Sequence, residues 1–414
     1  MESQSIYYIV IAIRNEQLIR QNCPVATFGP HASVNANSDP TPNITGVSPS
    51  SWNAGATTPV RITGSGFGTN PSVNITDPSS SVTTSSVTPV SDQEVDVNVT
   101  VAGNAPAENA TITVTSSGYN GFGFVTTQGN SPASPSISVT VVPIQVTQSP
   151  STIFVSTGDT TDVVTVSISP GGTYSVSFLS SLQSNPNSNA TAQLTGHGSS
   201  NGGGTQNYAV TASGAGSSPS GIFSLLACAS GKCASQGSTV VVPPQVLIQD
   251  LYGEAHGQAA AGDGISEPAI GSAIRNRFGK SEFPGGSDAT YQGVLVSSQF
   301  PGIDTSILNG PQPELNVAGT LFNGTQGDLV AGSPCFFSPK SSDWAAVQAA
   351  LSSGTTDVPS LSSVDPKCYS QADPGTQIVY YSAVGSNANG NGAPAFLFER
   401  QKSNDSDPAV VQIN

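Results

Sequence analysis

The sequence predicts three folded parts in series, two all-β sandwiches followed by a domain that mixes helices and strands. Three observations carry this. The chain has 414 residues, enough for two to four domains at ~150 residues each. Only 9% of its residues are charged, while 44 are Gly and 31 are Pro, a balance that favours strands and turns over long solvent-facing helices. The hydrophobic pattern also changes period once. Up to Pro244 apolar residues alternate with polar ones, and beyond it they recur every three or four.

Residues 1–41 form an irregular N-terminal segment that runs into the polar stretch 35–42. Residues 42–140 contain strand patterns at 60–63, 72–75, 95–101 and 111–114, where Val or Ile alternates with a polar residue and so turns one face to a core. Gly64, Gly66 and Gly68 lack the Lys and the following helix of a phosphate loop and read as a turn between strands. Residues 143–245 repeat the texture at 163–168, 174–178, 208–211 and 223–227, which suits a second sandwich. Cys228 and Cys233 bracket a tight turn that a local disulfide would pin; two buried free thiols are the alternative. Residues 240–244, ending in Pro243-Pro244, close the sandwich and begin a short stiff linker. In residues 246–414, Leu247, Leu251 and Glu254 share one side of a first helix. Glu267-Pro268 opens a second, where a first-turn Pro is harmless, with Ile270, Ala273, Ile274 and Phe278 as its apolar stripe. Ser342-Asp343 caps a third at 344–351, and residues 377–381 and 395–398 read as strands.

Composition excludes several functions. The net charge is −15, and no basic residue stands between Arg61 and Lys232, so the clustered cations that neutralise phosphates are missing and no nucleic-acid partner is expected. No apolar run approaches ~18 residues, which argues against an integral membrane protein. The five cysteines show no metal-ligand spacing, so no metal is expected. With only His31, His197 and His256, and no G-x-S-x-G or H-E-x-x-H, serine or zinc hydrolysis is disfavoured. Carboxylate chemistry remains, because a Glu in a partly apolar pocket can protonate a glycosidic oxygen. The best candidate is Glu254, set between Gly253 and Gly257 where a sugar chain can approach closely; a plain surface Glu is the alternative. Asp250, one helical turn earlier, either raises the pKa of Glu254 by like-charge repulsion or is an ordinary acid near a helix start. A low-charge, Ser/Thr/Asn/Gly-rich chain with possible cysteine pairs points to an extracellular or cell-envelope location. No export signal is evident in residues 1–20, and residues 6–13 read equally as a buried strand or a degraded targeting segment.

Two resemblances add to this reading. Pro42-Asn43-Ile44-Thr45-Gly46-Val47-Ser48-Pro49, Gly55 and Val60-Arg61-Ile62-Thr63-Gly64-Ser65-Gly66-Phe67-Gly68 resemble the opening of IPT/TIG domains. That implies an immunoglobulin-like sandwich serving as a spacer or binding module. Tyr252-Gly253-Glu254-Ala255-His256-Gly257, Ile270 to Phe278 ending in Asn276-Arg277, Glu282-Phe283-Pro284 and Tyr291 to Gln299-Phe300 look like the SleB-type cell wall hydrolase family, four blocks in the same order. This second resemblance implies an α+β, lysozyme-like catalytic domain over 246–414 that cleaves peptidoglycan glycan strands, commonly as a lytic transglycosylase, without a metal or organic cofactor. It implies Glu254 as catalytic acid and structural or glycan-lining roles for Tyr291, Gln299, Asn276 and Arg277. Cys335 and Cys368 are read as a second disulfide, with two buried thiols as the alternative. A peptidoglycan amidase or a hydrolysing muramidase is the alternative within the enzymes. A non-catalytic surface, structural or virion-associated protein, assembled through its sandwiches, is the alternative outside them. Because all matched blocks lie in 246–414, that part expressed alone is expected to keep the activity.

Overall fold

A computed structural model describes residues 41–117, 133–159, 163–170, 174–197, 204–260, 264–281, 283–295, 300, 303–307, 312–330, 332–333, 335–337, 376–382, 396–401 and 411–413. The first sandwich comprises β1 (Asn43–Ser48), β2 (Ser51–Asn53), β3 (Thr57–Ser65), β4 (Asn70–Thr76), β5 (Val82–Ser91), β6 (Glu94–Val101), β7 (Glu108–Ser117) and β8 (Ile137–Val142). They form two sheets, ordered β1-β3-β6-β5 and β2-β8-β7-β4. Alternation sets the inward faces: Val95, Val97, Val99 and Val101 of β6 oppose Ala110, Ile112 and Val114 of β7, all buried, with Trp52 and Phe67 filling the remaining space. The glycine pattern serves differently from the expected turn. Gly64 lies within β3, where a Cβ would stand 2.0 Å from the Asn43 carbonyl oxygen, so it is what lets β1 approach. Gly66 and Gly68 make the turn, both at positive φ, and the Gly68 N–H donates to Asp92 Oδ1 at 3.0 Å.

The second sandwich comprises β9 (Gln145–Ser149), β10 (Thr152–Phe154), β11 (Val163–Ser169), β12 (Val176–Ser184), β13 (Gln193–His197), β14 (Gly204–Ser213), β15 (Gly221–Ala229), β16 (Lys232–Cys233) and β17 (Ser238–Val242). Its sheets run β10-β17-β15-β12, with β16 on β15, and β13-β14-β11-β9. Both sandwiches are immunoglobulin-like in layering and mostly antiparallel pairing. Cys228 and Cys233 are disulfide-bonded across the β15–β16 hairpin, whose turn residues Ser230 and Gly231 both take positive φ. One hydrophobic core runs through both sandwiches. At their junction the Tyr174 hydroxyl donates to the Pro170 carbonyl at 3.1 Å and reaches that of Ala54 at 3.4 Å.

The third part contains α1 (Gln245–Ala260), α2 (Ser266–Arg275), a single 3-10 turn at Gly286–Asp288, α3 (Tyr291–Leu295) and α4 (Gln312–Phe322). A sheet ordered β18-β20-β19-β21 follows, made of β18 (Cys335–Phe337), β19 (Thr376–Ser382), β20 (Phe396–Gln401) and β21 (Val411–Ile413). Leu247, Ile248, Leu251 and Ala255 of α1 pack with Ala269, Ile270, Ala273 and Ile274 of α2 and with Leu315, Ala318 and Leu321 of α4. The expected stiff linker does not exist as a spacer. Val241 of β17 belongs to the helical core, with Phe154 and Ile222 packed against it. The Val246 N–H donates to Ser218 Oγ and Gln292 Nε2 to Ser217 Oγ, both at 3.2 Å. Gly319 of α4 sits directly against the Phe154 ring. The helix expected at 344–351 lies outside the described residues. Among the described residues no helix is long and apolar enough to cross a membrane.

Candidate active site around Glu254

Glu254 occupies the third turn of α1, half-buried at the margin of the stripe that Leu247, Leu251 and Ala255 bury. One turn earlier Asp250 is completely buried, and among the described residues neither carboxylate oxygen has a hydrogen-bond partner. Burial pushes its pKa well above the usual carboxylate range, the charge of Glu254 pushes it further, and Arg277 pulls it back. The proton therefore stays on Asp250 at pH values where an ordinary Asp has lost it. Arg277 is itself buried, its guanidinium 4.6 Å from the Phe300 ring centroid and 5.1 Å from that of Phe283.

A second polar pair joins α1 to α4. His256 Nδ1 lies 2.5 Å from Glu314 Oε1, and the imidazole stacks on Tyr252 with ring centroids 4.1 Å apart. Glu314 is completely buried, whereas the His256 side chain is 41% exposed. The partners stand 58 residues apart, and no local pattern marks Glu314 as the mate of His256.

Two of the other expected site residues, Tyr291 and Arg277, are spent on the interior. Tyr291 is 2% exposed, edge-on to Phe278 at 4.9 Å and near Phe322 at 6.3 Å, and burial raises its phenol pKa. It is a core ring and does not present a face for a sugar to stack on. Arg277 likewise offers no exposed fork to a glycan, because its cation is covered by aromatic rings. Asn276 Nδ2 donates to the Asp328 carboxylate at 3.2 and 3.3 Å and to the Ser333 carbonyl at 3.1 Å, tying down the loop after α4. Gln299, Glu282 and Cys368 lie outside the described residues, and Cys335 is in register with Glu399 on β20. Among the described residues no three His, Cys, Asp or Glu side chains are grouped to hold a metal ion.

No protein-family model matches the chain, and no curated protein is similar to it. Among solved structures it is similar to the Yersinia pseudotuberculosis adhesin InvE, at 16% identity over 48% of this chain and 57% of that one, with a TM-score of 0.20. A tandem of titin domains is similar at 11% identity over 49% and 63%, with a TM-score of 0.24. Invasin, a bacterial integrin-binding protein, is similar at 15% over 49% and 39%, with a TM-score of 0.18. The chain thus matches less than two thirds of each of these proteins, and its sandwich architecture rests on its own sheets.

Proposed function

We propose that the chain cleaves peptidoglycan glycan strands, with Glu254 as the catalytic acid on a domain carried by two sandwich modules. The observation that carries the reading is the half-buried carboxyl of Glu254 one turn above the completely buried Asp250, whose pKa burial raises well above the usual carboxylate range. Asp250 is closed off from solvent, so Glu254 is left as the one carboxyl of the pair with access to solvent and substrate. In a lytic transglycosylase it protonates the leaving oxygen of a MurNAc-GlcNAc bond. As carboxylate it then takes the proton of the muramic 6-hydroxyl, whose oxygen closes the anhydro ring. The Cys228–Cys233 bond supports work in an oxidising, extracellular or envelope setting.

Glu254→Gln keeps the size of the side chain and removes the transferable proton, so digestion of purified sacculi is expected to slow by at least ~100-fold while binding persists. Mass spectrometry of the products separates the chemistries: anhydromuropeptides mark a transglycosylase, reducing muropeptides a hydrolysing muramidase, and free stem peptides an amidase. Digestion at the parent's rate would show that Glu254 is not the acid. A second reading, a non-catalytic surface or virion-associated protein, is favoured by the interior placement of Tyr291 and Arg277 and by the engagement of Asn276 with Asp328 and Ser333. It prevails if neither form cleaves and both bind.

A further inference from the structure

β12 is the outer strand of the β10-β17-β15-β12 sheet; among the described residues it pairs with β15 and with no strand on its other side. A free edge offers unpaired N–H and C=O groups to any passing strand, and natural edges are blunted by shortness, proline, bulges or charge. The other outer strands of the two sandwiches are blunted in these ways. β2 and β10 have three residues, β9 and β13 five. β4 contains Pro71, β5 contains Pro89 and two register shifts, and β1 is interrupted between Ile44 and Gly46. β12 is nine residues long with neither proline nor charge; its register with β15 is regular over seven residues from Val176 to Leu182 and shifts only beyond them, between Leu182 and Ser184.

Its surroundings are equally uncharged. From Val163 to Gly231 the chain contains no Asp, Glu, Lys or Arg, although its net charge is −15. Copies of an acidic chain repel one another over most of their surface, and this edge is where they meet without that repulsion. Two of the exposed large apolar side chains also lie here, Leu179 at 58% and Leu182 at 47%.

We propose that β12 pairs edge to edge with β12 of a second copy of this chain, continuing the sheet across a two-fold axis. An antiparallel strand meeting its own copy forms an isologous contact, and directly opposite residues then share a face. Val176 and Phe178 face the core; Leu182 has the same parity, in register with buried Phe223, and lies exposed at the rim of that face. A two-fold centred on Leu179, the middle of the regular stretch, sets Leu179 against Leu179 on the outer face. It sets Leu182 against Val176 of the second copy on the core-facing side. One register thus covers both exposed leucines, whereas a two-fold centred between residues would oppose core-facing and outward-facing side chains.

Sedimentation velocity of the full chain at up to about 100 µM, the weak end of specific association, is expected to show a dimer. Leu179→Lys places two like charges against each other in place of an apolar pair and should weaken association by at least ~10-fold. Leu179 is exposed, so the variant should melt as the parent does. Mixing Leu179→Lys with Leu179→Asp chains should restore the dimer, and Ser72→Lys on β4 should leave it unchanged. A parent that is monomeric throughout, a Lys variant that dimerises as the parent does, or a mixture that stays monomeric would each overturn the proposal. A monomeric parent that takes up an extended peptide on this edge would also overturn it, by assigning the edge to another partner.

Discussion

Replacing Gly319 by alanine tests whether the helices and the second sandwich fold as one body. The new Cβ would stand 2.0, 2.5 and 2.7 Å from Cδ1, Cε1 and Cγ of Phe154. Carbon atoms rest no closer than ~3.5 Å, so either the ring leaves its place against the helical core or α4 lifts by more than an ångström. Overpacking of this kind costs about 1–3 kcal/mol, and alanine returns up to ~1 kcal/mol through its better helix propensity. The net expectation is a loss of about 1–2 kcal/mol in urea unfolding of the full chain. With Phe154→Ala already in place the obstacle is gone, and Gly319→Ala should be neutral or stabilising by up to ~1 kcal/mol. A double-mutant cycle should therefore show a coupling of about 1–3 kcal/mol. An equal effect of Gly319→Ala with and without Phe154 would mean that α4 is not seated on β10. The seam also changes the outlook for residues 246–414 alone. Without Phe154, Ile222 and Val241 their core is uncovered on one side, and they should lose cooperative unfolding that residues 143–414 retain.

Asp250→Asn should stabilise the protein more at neutral than at acid pH. The folded chain keeps a proton that the unfolded chain gives up above the usual value of 3.8, so the parent loses stability as pH rises from there toward the raised folded pKa. The variant lacks this loss, and its advantage should grow by no more than ~1.4 kcal/mol per pH unit. A difference in melting temperature that is flat with pH would contradict the reasoning. Reduction of the Cys228–Cys233 bond, which closes a loop with a sequence separation of 5, should cost about 2 kcal/mol by chain entropy and lower the melting temperature. Identical melts with and without reductant would refute a stabilising role.

Strands were legible in the sequence where one face is fully buried. The Val95, Val97, Val99 and Val101 alternation of β6 announces itself because every second residue meets the opposing sheet. β5 escaped notice because Val82 is its one buried residue, so it carries no alternation to read. Helices α1 and α2 were legible through Leu247, Leu251, Ile270 and Ile274, but the seam was not, since it depends on Gly319 meeting a ring far earlier in the chain. At the site, the spacing put Asp250 one turn from Glu254 but pointed to a shift on Glu254; the raised carboxyl is Asp250, because burial, which spacing does not carry, is the larger cause. Residue type could not separate a Tyr291 that fills the core from one that faces a sugar. The His256–Glu314 pair was invisible because it forms only when α4 folds back on α1.

In each sandwich a short early strand runs parallel to the last one, β2 beside β8 and β10 beside β17. Backbone bonds flank these pairs: Ala54 N–H to the Val142 carbonyl and Thr140 N–H to that of Ser50, then Val155 N–H to that of Val241 and Thr239 N–H to that of Ser151. Tension along the chain draws the two strands of such a pair past each other lengthwise. The bonds then bear the load together in shear, where an antiparallel hairpin at the same place would open one bond at a time. Under a pull between Asn43 and the helices, each module is therefore expected to resist and then yield in a single event, which single-molecule force measurements would record as one peak per module.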